Sequence, residues 1–196
     1  MEVVLRSIMG IVTVIDGDIN ILTYNGNLPC IECDDDINIL NKKYIESNLN
    51  IKNLYLKQCY TFCEKVKDKL IVSVLYMDII NFNSIKLSDE FNFLSIKNTD
   101  KNIYIDKLIE CLKEKLVLYS EIKKVYPSVF ILPDLQKLYE NLLDKKYDRR
   151  NFRKRLIKLN VIEDLEKSTK SKTGRPAKLY KFKELKEDKN LFGRNL

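Results

Sequence analysis

With 196 residues the chain has room for one large domain, or for one medium and one small domain. At 45% hydrophobic and 32% charged it can bury a core, which excludes a disordered or fibrous chain. The formal net charge is +7 and there is no histidine, so Ser-His-Asp and Cys-His catalysis, His-ligated zinc and histidine general bases are all excluded. The longest apolar run, residues 70–77, is broken by Ser73 and stopped by Asp78, far short of the ~20 residues that cross a bilayer. The opening Met1-Glu2-Val3-Val4-Leu5-Arg6 lacks the basic region and small-residue cleavage site of a signal peptide. The expectation is a soluble, cytoplasmic protein with no membrane partner. Glycine is scarce, and nothing between Gly26 and Gly174 can form a Gly-rich phosphate loop.

In chain order, residues 7–15 and 19–24 are β-branched and joined by Asp16-Gly17-Asp18, which predicts a hairpin. Residues 25–36 are turn-rich. They end in Asp34-Asp35-Asp36, where carboxylates favour a helix N-terminus and could otherwise offer metal ligands. A helix is expected over about 37–47, with Ile37, Leu40, Tyr44 and Ile45 facing inward. Strands are expected near 55–62 and 70–80. Ile105, Leu108, Ile109, Leu112, Leu116 and Tyr119 recur at helical spacing and predict one long amphipathic helix. Tyr126-Pro127-Ser128 ends this part, so residues 1–126 read as a small α+β domain.

Residues 127–196 follow a different grammar. Pro133 suits the first turn of a helix, and Leu135, Leu138, Tyr139, Leu142 and Leu143 form one apolar stripe. After the short turn Asp144-Lys145-Lys146-Tyr147, Asp148 is placed to cap a second helix running through Leu159. Val161 and Ile162 predict a short strand, residues 163–177 a polar loop, and Leu179-Tyr180-Lys181-Phe182 a returning strand. Helix, short turn, helix and basic hairpin is the order of a winged helix-turn-helix.

Charge follows the same division. Residues 126–196 hold 19 Lys and Arg against 10 Asp and Glu, whereas the first 125 hold 16 against 18. Six of the seven arginines, Arg149, Arg150, Arg153, Arg155, Arg175 and Arg194, lie in the last third. A Lys-rich, Asn-rich and Ile-rich chain suggests an AT-rich genome, which explains lysines but not clustered arginines. Arginine's planar fork matches phosphate and guanine. On the helix from Asp148, Phe152, Leu156 and Leu159 fall on one side and must pack on the preceding helix.

The opposite arc carries Arg150, Asn151, Arg153, Lys154 and Lys158, suited to a DNA major groove, and Arg149 joins them as a DNA-binding candidate. Ile157 lies near that arc, where it either touches a thymine methyl or is partly buried. The following loop adds Lys167, Lys170, Lys172, Arg175 and Lys178, with Gly174-Arg175-Pro176 shaped to enter a minor groove. The expected partner is double-stranded DNA rather than RNA, because single-strand recognition needs an exposed aromatic platform and none is visible.

Three stretches taken together identify a family: Ile131-Leu132-Pro133-Asp134-Leu135-Gln136-Lys137-Leu138-Tyr139-Glu140, then Asp148-Arg149-Arg150-Asn151-Phe152-Arg153-Lys154-Arg155, then Gly174-Arg175-Pro176-Ala177-Lys178-Leu179-Tyr180-Lys181-Phe182. They closely resemble the C-terminal winged helix of the Nudix-related transcriptional regulators of NAD metabolism. The resemblance implies an N-terminal Nudix-like mixed α/β sandwich over 1–126, used for dimerisation and ligand sensing, and a DNA-binding winged helix over 127–196. It also implies a homodimeric regulator, by expectation a repressor, on a palindromic operator, with ADP-ribose or a related nucleotide as effector. The rival reading is a Nudix-type nucleotide-sugar pyrophosphohydrolase.

The Nudix box itself is degraded. Set against the family's metal-binding glutamates stand Tyr44, Ser47 and Asn48, with only Glu46 off pattern, and the expected Leu-Pro-Gly-Gly turn is Leu28-Pro29-Cys30-Ile31. Magnesium needs hard carboxylate oxygens. The expectation is therefore no enzyme, no catalytic residue, no metal and no cofactor. Cys30, Cys33, Cys59, Cys63 and Cys111 could supply a four-thiolate zinc site or a redox pair, but small hydrophobic cysteines are the leading reading. Tyr44, Tyr55, Tyr60 and Phe62 could stack an adenine, with core packing the favoured use.

Overall fold

The structure is a computed structural model that describes residues 1–15, 17–49, 54–81, 87, 90–169 and 176–192. The chain divides into two compact units. The first comprises Met1–Thr13 with Ile19–Leu112, the second Val14–Asp18 with Lys113–Leu196. The division falls inside a helix, some way before the Tyr126 break expected from sequence.

The first unit is built on a six-stranded mixed sheet. Its strands are β1 (Glu2–Ile15), β2 (Asp18–Tyr24), β3 (Cys30–Glu32), β4 (Lys57–Val66), β5 (Lys69–Ile79) and β6 (Phe91–Ser95). The order is β4-β5-β1-β2-β6, with β3 also paired to β1. β1 runs parallel to β5 from Glu2↔Lys69 to Val12↔Ile79, and β4 returns antiparallel to β5. The centre of β1 is buried on both faces, as a strand covered by helices must be. On one face Met9, Ile11 and Leu22 pack with Ile45 and Leu49 of α1 (Ile37–Leu49) and with Phe91. On the other, Gly10 lies under Leu108 of α2 (Ile103–Leu116), so close that a Cβ there would sit 2.3 Å from a Leu108 methyl. The sequence pattern gives no sign of β3 or β6. Three aromatics also differ from expectation: Tyr55 is 71% and Tyr60 41% exposed, and Phe62 packs edge-on to Tyr104 rather than in the core.

The second unit carries α3 (Tyr119–Val125), β7 (Val129–Ile131), α4 (Leu132–Leu143), α5 (Arg149–Lys158), β8 (Ile162–Ser168) and β9 (Lys178–Phe182). The single long helix expected through Tyr119 is in fact two. Leu118 is extended and the following turn is captured by the C-terminal segment: the Tyr119 amide donates to Lys189 O at 2.8 Å, the Leu191 amide to Val117 O at 2.8 Å, and the Tyr119 hydroxyl to Lys183 O. β7, β9 and β8 form a small antiparallel sheet in that order. β8 extends through Ser168, so the expected polar loop is half strand. Past its end the Thr169 amide still donates to Ala177 O at 2.9 Å.

Candidate nucleic-acid interface

Helix α4 begins with Pro133 in its first turn and buries Leu132, Leu135, Leu138, Tyr139 and Leu142, the stripe that the sequence spacing predicts. It stops at Asp144, whose left-handed backbone (φ 49°, ψ 46°) turns the chain. A polar lock then fixes the turn. The Glu140 carboxylate accepts from the Tyr147 amide at 2.9 Å, from Gln136 Nε2 at 2.9 Å and from Lys146 Nζ at 3.2 Å. Gln136 Nε2 also donates to Tyr147 O at 2.7 Å, spanning the turn from the α4 side. These bonds hold the Glu140 carboxyl down at about 2, because the Gln136 amide and the Tyr147 N–H stabilise its charged form.

Asp148 caps α5 as its sequence position predicts, its Oδ1 accepting from the Asn151 amide at 2.9 Å. Phe152 and Leu156 are buried, and Leu159 is half-buried. Phe152 packs 6.3 Å from Tyr139 of α4 and stacks at 5.8 Å on Phe192. Leu191 and Phe192 are buried, a contribution of the C-terminal segment that the sequence reading missed. Their signal was an apolar pair in an otherwise polar tail. Arg155 is drawn into this cluster: its guanidinium lies 5.4 Å from the Phe192 ring centre, and its Nε donates to Leu191 O. It anchors the helix while its neighbours face water.

Arg149, Arg150, Asn151, Arg153, Lys154 and Lys158 are all exposed on α5. The helix contains six cations and no acid. The Arg153 charge acts on Asp164 of β8, and Lys178 of β9 pairs with the same carboxylate at 2.8 Å. Lys178 is thus brought to the base of the wing but held in an ion pair. Lys167 is exposed on β8. The loop cations Lys170 and Lys172, and Gly174 and Arg175 of the minor-groove candidate, lie outside the described residues. Among the described residues of the second unit, the exposed large apolar side chains are Leu118, Val129 and Ile157, none of them aromatic. The exposed tyrosines Tyr24, Tyr55 and Tyr60 belong to the first unit.

In the first unit, α1 carries Tyr44 half-buried and Ser47 and Asn48 exposed. Tyr44 packs edge-on to Phe91 at 6.4 Å. The Ser47 hydroxyl donates to Lys43 O at 2.8 Å, and Asn48 Nδ2 to Tyr44 O at 2.8 Å, so both side chains return to the backbone of their own helix. This set does not fit a divalent cation, which requires convergent anionic oxygens. Asp36 caps α1 instead, its Oδ1 accepting from the Asn38 amide at 2.8 Å and the Ile39 amide at 3.2 Å. No group of three or more His, Cys, Asp or Glu is placed to hold a metal among the described residues.

Cys30 and Cys33 lie on one extended run, with Ile8↔Cys30 in register and the Cys33 amide donating to Leu5 O at 2.8 Å. An extended chain advances ~3.3 Å per residue, so three steps separate the two Cα atoms by ~10 Å, beyond disulfide reach. Burial also pushes the Cys33 thiol up. Cys59 and Cys63 are similarly strung along β4.

The class defined by these features is a Nudix-like α+β domain followed by a winged helix-turn-helix. Within that class, residues 123–182 match the NrtR DNA-binding winged helix domain, the match that the sequence motifs imply. A protein of Acinetobacter baylyi described as an ADPR responsive transcriptional repressor, NtrR, is 26% identical over 168 residues, 78% of this chain. The match spans 66% of that relative's length, just under two thirds. The crystal structure of Shewanella oneidensis NrtR complexed with a 27mer DNA superimposes with a TM-score of 0.66 at 20% identity, covering 91% of this chain and 93% of that one. A MutT/nudix family protein from Enterococcus faecalis superimposes with a TM-score of 0.60 at 14% identity over 93% of this chain and 87% of its own. At these identities the two structures speak for the fold. No described helix is long and apolar enough to cross a membrane.

Proposed function

We propose that the chain is a DNA-binding transcriptional regulator that represses by occupying a palindromic operator as a homodimer. The observation that carries this reading is the outer face of α5, where Arg149, Arg150, Arg153, Lys154 and Lys158 stand exposed without an acid among them. A duplex presents a dense row of phosphates, and such a face gives both affinity and register. Arg150 and Asn151 are the residues suited to guanine and adenine edges, and Arg149, Arg153, Lys154 and Lys158 to the backbone. Lys178 adds a backbone contact, as does Lys172, and Arg175 is suited to a minor groove.

In this reading residues 127–196 bind DNA, while residues 1–126 dimerise and sense ADP-ribose or a related nucleotide, tying repression to NAD metabolism. The Acinetobacter relative's response to ADPR supports that effector class. An effector acts here by binding two arrangements of the recognition helices with different affinity.

A hydrolase is disfavoured because α1 offers Tyr44, Ser47 and Asn48 where magnesium would need carboxylates. Selection of bound fragments from the organism's own genome by the purified protein tests the main reading, which expects an enriched palindrome. No enrichment at low ionic strength sinks it. Incubation with ADP-ribose and magnesium tests the rival, with no AMP released at enzymatic rates as the expected outcome. Thermal shift with ADP-ribose tests the sensing role, since a ligand that binds the folded state raises the melting temperature.

A further inference from the structure

The outer face of α5 holds one side chain that charge cannot explain. Ile157 is 49% exposed, and it is the only large apolar side chain exposed on α5. The alternative open to the sequence, partial burial against the domain, accounts for about half of the Ile157 surface and leaves the other half open. The residues that pack inward are Phe152 and Leu156. At ~100° per residue, Arg150, Lys154 and Ile157 project within ~60° of one another, on the side opposite that pair. Arg153 and Lys154 precede Ile157 by one helical turn, and Lys158 follows it directly. An isoleucine set among cations gains nothing from water or from phosphates. In a major groove it meets one apolar group, the 5-methyl of thymine.

Resting on the DNA-binding reading, we infer that Ile157 is a specificity-determining residue that packs on a thymine methyl in each operator half-site. The selected sequence then contains a T·A pair that no hydrogen bond from α5 accounts for. Arg150 lies two turns N-terminal to Ile157, about 10 Å along the axis at 1.5 Å per residue, so the thymine falls about three base pairs from the Arg150 contact.

The test uses the full chain and the duplex recovered by genomic selection, with each thymine replaced in turn by deoxyuridine, which removes the methyl and nothing else. At one position per half-site, wild-type affinity drops about 4-fold, the factor that one buried methyl contributes. Ile157→Ala binds the unmodified duplex more weakly by a similar factor and is indifferent to deoxyuridine at that position. Ile157→Val retains most of the discrimination. At the same T·A pair, cytosine·guanine weakens wild-type binding, and 5-methylcytosine·guanine, which returns the methyl, binds more tightly than cytosine·guanine. The inference is overturned if every deoxyuridine costs wild type and Ile157→Ala equally, or if Ile157→Ala changes sedimentation rather than affinity. If no duplex is selected at all, the DNA-binding reading falls and takes this one with it.

Discussion

Helices α1 and α5 are the two outward-facing helices on which function could rest, and they have opposite chemistry. α1 exposes Asn38, Lys42, Lys43, Glu46, Ser47 and Asn48, a mixed and nearly neutral face on which Ser47 and Asn48 bond to their own helix. The charged side chains that α5 exposes are all cations, and Arg155 is tied back to Leu191 and Phe192. A divalent cation requires convergent carboxylates, and a polyanion requires convergent cations. α1 satisfies neither demand and α5 satisfies the second. The difference shows that a helix can pack Ile45 and Leu49 into the core while its outer face meets neither demand.

The comparison is sharpest where charge decides the outcome. If six cations of the second unit meet phosphates, affinity falls about 10³-fold between 50 mM and 200 mM salt. Replacing Arg150 and Arg153 together by alanine should weaken operator binding about 100-fold at fixed salt and reduce the salt slope by about one to two. The paired control, Lys42→Ala with Lys43→Ala on α1, should stay within about twofold, since exposed charges remote from the duplex are screened. Fluorescence anisotropy over a salt series reads all three. Equal losses from both pairs would mean that the two faces do not differ in function.

Packing rather than charge is the vulnerability of the first unit. A Cβ at Gly10 would sit 2.3 and 2.7 Å from the two methyls of Leu108, and the Leu108 Cγ is only 3.1 Å away, so Leu108 must leave its present packing to admit it. Gly10→Ala should therefore destabilise the protein by about 1–3 kcal/mol, as overpacking of a filled core does. Calorimetric melting measures this, and an unchanged transition would show that α2 can slide off β1 at no cost.

What the sequence made legible were features fixed by local chemistry. The Asp148 cap, Pro133, the stripe from Leu135 to Leu142 and the cationic arc of α5 all depend on neighbours a few residues apart. The features it hid depend on distant partners. Apolar periodicity through Tyr119 is continuous, yet the helix breaks because residues 183–191 supply other partners for Leu118 and Tyr119. β3 has three residues and exists only because β1 offers Arg6, Ser7 and Ile8 as partners. Asn41 lies buried on the inner face of α1, a position that hydrophobic patterning assigns to the surface. The exposure of Tyr60 was hidden because β4 is an edge strand with both faces largely open, and Tyr55 lies just ahead of that strand, whereas aromatic composition suggests interior.

The smallest effect concerns the turn that sets α5 on α4. Glu140 is ionised with its carboxyl at about 2 in the folded chain, held by Gln136 and the Tyr147 amide, while a free glutamate titrates near 4.3. Because the folded value is depressed, the unfolded chain binds more protons between these two pH values. Stability from this carboxylate is thus complete above about 4.3 and drains away as pH falls toward 2. Glu140→Gln keeps the shape but cannot titrate, so its melting temperature should lie below wild type at neutral pH and converge on it through that window. No comparable lock exists among the described residues on α1, where the i,i+4 pair Lys42–Glu46 is 3.9 Å apart and open to water. Parallel curves for wild type and Glu140→Gln from pH 5 to pH 2 would show that the turn holds its geometry without the carboxylate. The orientation of α5 would then rest on Phe152, Leu156, Phe192 and the Arg155 anchor.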